Sequence, residues 1–473
     1  MKTMKNHIRQ WALAGLALSM LLSSLGTSIA NIGLPSFAQA FSASLQEVQW
    51  IVVAYLLAVT TLIVSVGRLG DLIGRKRLLL AGLSLYTVAS ILCGVAPELW
   101  TLIAARALQG LGAAIMTALT MAFVGDTVPR EKTGSAMGLL GTMSATGTAL
   151  GPALGGVLIA GLGWPALFLV NVPLGILTLL LAYRYLPEDR QGPRTGQERL
   201  DVTGSLLLAV TLAAYALAMT AGRGSFDTLN LGLLLTALVS AGLFLGAEAK
   251  AASPLVRLAM FRNPVLSAGF AMNALVMTVM MATLVVGPFY LSRALGLDTA
   301  LVGIVMSIGP GISALSGVLA GRIVERFGAP FMVIAGLVQI AAGSLALAVV
   351  PPMFGLPGYI AAIVILTPGY QLFLAANNTA VMIDVDPAQR GVISGLLNLS
   401  RNLGLITGAS VMGAVFAFAT ATVDITKASA ASVASGMQTT FAVAAMLIVV
   451  ALAAAIAAGR VLAIRPDLSR DTT

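Results

Sequence analysis

Long runs of apolar residues recur along this chain from beginning to end. Most are about 17 to 25 residues long, the length that a helix needs to cross the hydrocarbon core of a bilayer. The chain is 58% hydrophobic and 10% charged, whereas a soluble domain is roughly 25% charged. Because a helix satisfies its backbone hydrogen bonds internally, the runs predict an all-α polytopic membrane protein and exclude a soluble enzyme.

These runs predict fourteen transmembrane helices in three blocks. The helices are predicted near 11–33, 46–66, 79–97, 101–124, 135–160, 165–186, 202–221, 230–248, 265–290, 299–320, 331–351, 358–381, 391–418 and 438–459. We therefore divide the chain into a six-helix bundle (1–186), a linker with two inserted helices (187–263) and a second six-helix bundle (264–473).

The basic residues support this number of helices, because they alternate from one connection to the next. If both termini lie on one side, nearly all of the 27 Lys and Arg residues lie on that side as well. The exceptions are Arg223, Arg293 and Lys427 on the opposite side, and Arg106 and Arg401 within predicted helices. Cytoplasmic loops are enriched in Lys and Arg. We therefore expect a bacterial cytoplasmic-membrane protein with both termini in the cytoplasm, and no nucleic-acid partner.

The N-terminal segment (1–31) also resembles a cleavable signal peptide, with a basic start, an apolar middle and small residues at its end. We favour a first transmembrane helix, because the segment runs on into ANIGLPSFAQAF and cleavage would leave an odd number of helices. One cysteine (Cys93) and one histidine (His7) exclude a disulfide framework and a metal site built from several such ligands.

An internal repeat relates the two six-helix blocks. GRLGDLIG (67–74) aligns with GRIVERFG (321–328), and a second match follows in the same order at nearly the same spacing. In that second match, Gly134, Gly138, Leu139, Leu140, Gly147, Gly151 and Gly156 align with Gly391, Gly395, Leu396, Leu397, Gly404, Gly408 and Gly413. Since transporters are often built from related halves, the repeat predicts two equivalent bundles.

The segment GRLGDLIGRKR (Gly67–Arg77) resembles the signature loop between helices 2 and 3 of the major facilitator superfamily. Its glycines allow a tight cytoplasmic turn, and its aspartate can face a helix N-terminus or a basic partner. The resemblance implies that this loop latches two bundles in the outward-facing state, with Gly67, Asp71, Gly74 and Arg75 as gating residues. A basic signal that only fixes topology is the alternative.

The segment RALQGLGAAIMTAL (Arg106–Leu119) is similar to the superfamily motif that places an arginine within the membrane. A buried arginine costs several kcal/mol unless it meets water, a carboxylate or carbonyl groups, so it indicates a functional site. Gln109 lies on the same helix face. The alternative is an arginine that only packs helices together through backbone carbonyls.

The segment GTALGPALGGVL (147–158) resembles the superfamily motif that is diagnostic of antiporters. Gly147, Gly151 and Gly155 recur every four residues and leave a smooth face for a neighbouring helix, while Pro152 removes a backbone hydrogen bond and bends the helix. We place these four residues among the gating residues. A general packing face would account for the glycines without the proline.

Together these motifs resemble the fourteen-helix drug:proton antiporter branch of the superfamily over nearly the whole chain. SIANIGLPSFAQAF, VQWIVVAYLLA and RLDVTGSLLL are similar to the end of its helix 1 and the starts of its helices 2 and 7. The resemblance implies the major facilitator fold, with two six-helix bundles plus two additional helices. It also implies proton-coupled export by alternating access.

The chain departs from the branch at one position. Members that export cations carry an aspartate late in helix 1, about five residues before the Asn of an NxxLP-like segment. Here that Asn is Asn31, and the matching position is Gly26. The carboxylates closest to membrane depth are Glu47, Asp126 and Glu248. Because proton coupling usually needs a buried carboxylate, coupling either uses a carboxylate at a helix end or is weak or absent. The midplane instead holds Arg106 and Arg401, and so we expect a neutral or anionic substrate rather than a lipophilic cation.

Polar residues within apolar helices are the candidates for substrate binding, since an unsatisfied polar group in hydrocarbon costs several kcal/mol. They are Asn31, Tyr55, Arg106, Gln109, Asn273, Gln371, Asn377, Asn378, Asn398, Arg401 and Asn402. Asp126 and Glu325, near helix ends, complete the gating set. Methionines at 272, 277, 280 and 281 suit either a pocket that accepts varied apolar shapes or ordinary packing.

The sequence favours a secondary transporter that exports small hydrophobic drugs or metabolites, neutral or anionic, by proton antiport. The alternative is an importer or facilitator of an organic anion without strict proton coupling. A membrane enzyme or sensor is disfavoured, because no cluster of His, Cys or carboxylates lies at membrane depth. We expect a monomer without cofactors in the lipid bilayer; a periplasmic adaptor, the substrate and the proton-carrying residue stay open.

Overall fold

The computed structural model describes residues 2–127, 133–188, 202–220, 227–250, 261, 263–382, 390–421 and 428–464. Helices occupy most of these ranges, which contain no strand, and so the structure confirms the all-helical expectation. The helices are α1 (Lys2–Ile32), α2 (Leu34–Ala40), α3 (Leu45–Ile73), α4 (Arg75–Gly94), α5 (Leu99–Thr127), α6 (Thr133–Leu162), α7 (Ala166–Leu169), α8 (Asn171–Tyr185), α9 (Val202–Thr220), α10 (Thr228–Lys250), α11 (Pro264–Phe289), α12 (Thr299–Phe327), α13 (Ala329–Met382), α14 (Arg390–Thr407), α15 (Gly413–Thr420) and α16 (Ala430–Ile464).

Twelve helical segments in the described ranges are long and apolar enough to cross a membrane. One of them is α13, which is interrupted at Gly355, where the backbone leaves the helical conformation with φ 57 and ψ −133. A shorter apolar helix, Thr203–Met219, lies outside the twelve. The number fourteen therefore stays a prediction.

The chain divides into two compact units. Unit 1 consists of Met1–Ala43, Trp50–Tyr215 and Leu234–Leu255. Unit 2 consists of Ser44–Gln49, Ala216–Leu233 and Val256–Thr473. The boundaries predicted at 186 and 263 stay predictions.

Each unit is built around its first long helix. In unit 1, α1 packs against α5, α6 and α8, while α4 packs against α5 and α8. In unit 2, α11 packs against α13, α14 and α16, while α13 packs against α12 and α16. The buried surfaces of these helices form the cores of the two units.

The glycines of the internal repeat make equivalent close contacts in the two units. A methyl group added at Gly147 of α6 would lie 2.5 Å from the Leu21 carbonyl oxygen of α1. One added at Gly404 of α14 would lie 2.6 Å from the Cβ atom of Met277 on α11. Small residues let helix backbones approach closely in membranes. The repeat therefore brings α6 against α1 in unit 1 and α14 against α11 in unit 2.

A hydroxyl group joins each of these helix pairs. Ser28 of α1 donates from Oγ to the carbonyl oxygen of Gly147 at 3.2 Å. Thr278 of α11 donates from Oγ1 to the carbonyl oxygen of Gly404 at 3.1 Å. Interhelical hydrogen bonds of this kind contribute about 0.6 kcal/mol on average in membranes.

The glycine that ends each copy of the GRxxxxxG repeat has a positive φ. Gly74 connects α3 to α4 with φ 100 and ψ 129. Gly328 connects α12 to α13 with φ 85 and ψ 143. Residues with a side chain rarely adopt this conformation, and so the two turns require glycine at these positions.

Helix ends differ from the predicted ones where polar residues precede an apolar run. The last helix, predicted from 438, begins at Ala430. The backbone N–H of Ser432 donates to the hydroxyl of Ser429 at 3.1 Å, which caps the helix start. Hydropathy did not reveal this first part (430–437), because Ser432, Ser435 and Gly436 make it less apolar.

Candidate functional site

Arg106 lies at the centre of unit 1 and is 0% exposed. From α5, its Nε donates to the carbonyl oxygen of Ile51 on α3 at 2.9 Å. Its Nη2 donates to the carbonyl oxygen of Gly26 on α1 at 3.1 Å, and its Nη1 donates to Oε1 of Gln109. One guanidinium group therefore joins three helices.

Aromatic rings enclose the same guanidinium group. Its central carbon lies 4.2 Å from the ring centroid of Tyr55 and 5.8 Å from that of Phe168. The Tyr55 hydroxyl donates to the carbonyl oxygen of Ser23 at 3.0 Å, which fixes the ring. A desolvated cation over an aromatic face is stabilised by about 2 kcal/mol, and so ring faces and carbonyl dipoles together stabilise the buried charge.

Gln109 extends this cluster to α4. Its Nε2 donates to Oγ of Ser90 at 2.8 Å, and Ser90 donates to the carbonyl oxygen of Tyr86 at 2.7 Å. The Tyr86 hydroxyl in turn donates to the carbonyl oxygen of Leu22 at 2.9 Å. The sequence prediction missed Ser90 and Tyr86, although both are polar side chains within an apolar helix, the criterion that selected Asn31.

The space beside Gly26, where an aspartate side chain would lie, is occupied by the Tyr86 hydroxyl. A methyl group added at Gly26 would lie 2.5 Å from the Tyr86 hydroxyl and 3.3 Å from the Tyr55 hydroxyl. A carboxylate at this position would therefore collide with Tyr86. Carbonyl oxygens and Gln109 bond the Arg106 guanidinium instead.

We expect Gly26→Asp to reduce the yield of folded protein sharply, and Gly26→Asp with Tyr86→Phe to recover most of it. Tyr86→Phe removes the hydroxyl that blocks the new side chain, although it also removes one hydrogen bond worth about 1 kcal/mol. Size-exclusion chromatography of detergent-solubilised protein measures the yield, with Tyr86→Phe alone as the control. A single Gly26→Asp variant that folds normally would contradict this steric explanation.

Asn31 is also buried in unit 1. Its Nδ2 donates to the carbonyl oxygens of Thr27 at 3.0 Å and Ser28 at 3.3 Å, within its own helix. Its Oδ1 has no hydrogen-bond partner among the described residues. An acceptor in such a position can receive a bond from water or a ligand.

Three candidates in unit 2 bridge helices. Asn273 donates from Nδ2 to the carbonyl oxygen of Leu397 at 3.0 Å, joining α11 to α14. Asn377 donates from Nδ2 to the carbonyl oxygen of Gly269 at 3.2 Å, joining α13 to α11. Gln371 is only half-buried, and its Nε2 donates to Oγ of Ser313 on α12.

The remaining candidates of unit 2 are accessible. Asn378, Asn398 and Arg401 are exposed, and Asn402 is half-buried. The last three share α14, whose opposite side is buried through Ile393, Leu396, Leu399 and Ile406. The structure therefore separates the candidates by burial. Those buried are Asn31, Tyr55, Arg106, Gln109, Asn273 and Asn377, and the others, on α13 and α14, are half-buried or exposed.

The predicted gating loop is described in part. The side chains of Asp71 and Asp126 lie outside the described residues, as does the environment of Gly67. Beside Arg75, Lys76 is 5% exposed and donates to the Leu186 carbonyl oxygen at 2.9 Å and to Glu188 at 2.8 Å. The list of gating residues stays a prediction.

The gating residues of α6 lie on one face. Gly147, Gly151 and Gly155 each face α1 so closely that an added methyl group would meet Leu21, Ser28 or Ile32. Pro152 is buried within α6. Glu325, near the end of α12, is exposed.

Glu47 and Glu248 are the carboxylates within the twelve candidate spans. Glu47 caps the start of α3, since its Oε2 accepts from the Ser44 nitrogen and hydroxyl, both at 2.7 Å. Glu248 is 3% exposed near the end of α10. Among the described residues, no group of three or more His, Cys, Asp or Glu side chains could hold a metal ion.

Comparisons with known proteins match this chain to membrane transporters. The family model of the Major Facilitator Superfamily matches residues 16–409. The riboflavin transporter RibZ of Clostridioides difficile (strain 630) is 30% identical over 405 residues, covering 85% of this chain and 87% of the relative. The multidrug resistance protein Stp of Mycobacterium tuberculosis (strain ATCC 25618 / H37Rv) is 30% identical over 423 residues, covering 87% and 76%.

A solved structure shares the fold. The crystal structure of a bacterial homolog of the human lysosomal transporter Spinster superposes with a TM-score of 0.72 and 16% sequence identity. The match covers 96% of this chain and 97% of the other.

Proposed function

Because this chain belongs to the Major Facilitator Superfamily, and is thus a membrane transporter rather than an enzyme, we propose that it exports small hydrophobic drugs or metabolites from a bacterial cell. It works in the cytoplasmic membrane by alternating access and takes its energy from proton antiport. It acts as a monomer.

The glycine face of α6 is the observation that carries this proposal. Gly147, Gly151 and Gly155 press α6 against α1 around Pro152, in the segment that resembles the antiporter motif. A relative named as a multidrug resistance protein and another named as a riboflavin transporter support small organic molecules as substrates.

We propose fourteen transmembrane helices for this transporter. The break at Gly355 divides α13 into two arms, each longer than the ~20 residues that span a bilayer. Thr203–Met219 supplies one more apolar helix. The alternation of basic residues then favours cytoplasmic termini.

We propose a neutral or anionic substrate. The space where cation exporters of this branch carry an aspartate is closed by Tyr86, and Arg106 keeps its positive charge within unit 1. A lipophilic cation would meet no carboxylate there.

Proteoliposomes that enclose a pH-sensitive dye would test the function. We expect riboflavin, a neutral compound, or fluorescein, an anion, to drive proton movement when added outside, whereas ethidium, a cation, should not. Empty liposomes are the control for leakage. Proton movement driven by ethidium alone would contradict the substrate assignment, and none with any of the three would contradict proton antiport.

One observation favours the alternative, a facilitator or importer of organic anions. Gly26 leaves α1 without the carboxylate that would bind and release the proton. Fluorescein that moves down its own gradient with no accompanying proton movement would support this alternative over the antiporter.

A further inference from the structure

The two arginines within the membrane have different surroundings. Arg106 is enclosed by three helices and two rings. Arg401 is exposed on α14, and it makes no hydrogen bond or ion pair with any part of the chain that the structure describes. Arg401 lies within the candidate span Leu396–Thr420. Its charge is therefore available to a ligand, whereas that of Arg106 is not.

The exposed side chains described on α14 are polar, whereas those on several other spans include large apolar ones. On α10, α13 and α16 the exposed side chains include Leu238 at 68%, Phe354 at 63% and Val449 at 58%, as expected for contact with lipid. Among the α14 side chains that the structure describes, the exposed ones are Asn398 and Arg401. Lipid cannot solvate the guanidinium group of Arg401, and so this side chain borders a water-filled space.

An aromatic side chain lies close to the same part of α14. Gly404, one turn after Arg401, packs against Met277 of α11. The Tyr370 hydroxyl of α13 lies 3.9 Å from the sulfur atom of Met277. Tyr370 and Met280 are half-buried, and their ring and thioether present a polarizable surface suited to flat apolar ligands.

The next residue along α13, Gln371, carries an amide group that faces α12. Gln371 is half-buried, and Ser313 accepts a hydrogen bond from its Nε2. Its Oε1 points towards Gly317, where a methyl group would be 3.8 Å away. The Gln371 carbonyl oxygen is thus held in place beside a residue with no side chain, where it can accept from a ligand N–H or O–H group.

We propose that unit 2 binds a planar aromatic compound with an ionised acid group, a carboxylate or a phenolate. Arg401 binds the anion, Tyr370 and Met280 contact the ring, and Gln371 accepts from a polar group on it. This inference rests on the proposed transport function and specifies its substrate class. Planar guanidinium groups pair with carboxylates in two parallel hydrogen bonds, which explains an arginine at this position.

Transport of three dyes by the full chain in proteoliposomes would test this assignment. Fluorescein is the anionic probe, riboflavin the neutral probe and rhodamine 123 the cationic relative of fluorescein. We expect Arg401→Gln to lower fluorescein transport by about tenfold or more, the effect of losing one charge-assisted contact. Riboflavin transport should change by less than about twofold, because a neutral ring does not need the charge. Arg401→Lys should restore part of the fluorescein transport.

The exposed Arg184 at the end of α8 provides the matched control, since Arg184→Gln removes the same charge elsewhere. Equal losses for fluorescein and riboflavin in Arg401→Gln would overturn the proposal and indicate a structural role. Unchanged fluorescein transport would overturn it too, because Arg401 would then only reach the lipid head groups. Wild-type transport of rhodamine 123 but not fluorescein would overturn the anion site while leaving export in place, and transport of none of the dyes would overturn both.

Discussion

Replacing Arg106 with leucine should prevent stable folding rather than only abolish transport. The change removes the three hydrogen bonds that the guanidinium group donates and leaves Oε1 of Gln109 without its donor inside unit 1. Hydrogen bonds to charged groups contribute about 1.5–3 kcal/mol each, and so the free energy of unfolding should fall by on the order of 3 kcal/mol or more. The melting temperature and the folded yield in detergent measure the effect.

Two further variants test whether the loss of stability depends on the geometry of the Arg106 hydrogen bonds. Arg106→Lys keeps the charge but cannot reach α1, α3 and Gln109 at once, because an ammonium group lacks the planar fork. It should recover little stability. Arg401→Gln should fold like the wild type, since Arg401 is exposed. If Arg106→Leu instead has wild-type stability but no transport, Arg106 contacts the substrate and our interpretation of it is wrong.

The second large effect is expected at the glycine faces. Gly147→Ala places a methyl group 2.5 Å from the Leu21 carbonyl oxygen and 3.0 Å from the Leu25 nitrogen. Both are backbone atoms, and so α1 and α6 must separate. Overpacking of this kind costs about 1–3 kcal/mol. Gly404→Ala should cost a similar amount, because it meets the backbone and Met277 of α11. Thermal unfolding of the purified variants measures both changes.

Two other helical glycines offer a control for the loss of glycine itself. Gly161 of α6 has nothing within 4 Å of an added methyl group, and the same holds for Gly311 of α12. Gly161→Ala and Gly311→Ala should leave stability unchanged or raise it slightly, since glycine inside a helix costs roughly 0.5–1 kcal/mol relative to alanine. Equal destabilisation at all four positions would show that helix flexibility, not close packing, is what the glycines provide.

The fold could be predicted from the sequence at the glycines that recur in the internal repeat. Gly147 and Gly404 were aligned by sequence alone, and both face the first helix of their unit. Gly74 and Gly328 were aligned in the same way, and both have a positive φ. Only glycine suits these positions, and so the aligned glycines alone were enough to predict the close helix contacts and the two turns.

Other features of the structure could not be predicted from the residue pattern. The sequence could not decide between a ligand-binding and a packing role for Arg106, because its partners include backbone carbonyls, which every residue has. The break between the helices predicted at 331–351 and 358–381 falls at Gly355, whereas the prolines at 351, 352 and 357 lie within helical backbone on either side, and so the prolines did not locate it. The sequence also could not show that Arg106 is buried and Arg401 exposed, because this depends on which side of each helix is covered by neighbouring helices.

The enclosure of Arg106 has an effect beyond the residues that it touches. An arginine side chain does not lose its proton in proteins, and so the guanidinium group of Arg106 is a fixed positive charge. At a distance of about 10 Å and an effective dielectric constant of about 20, it repels a monovalent cation by roughly 1.7 kcal/mol. A buried side chain can thus discriminate between solutes by the sign of their charge through its electric field.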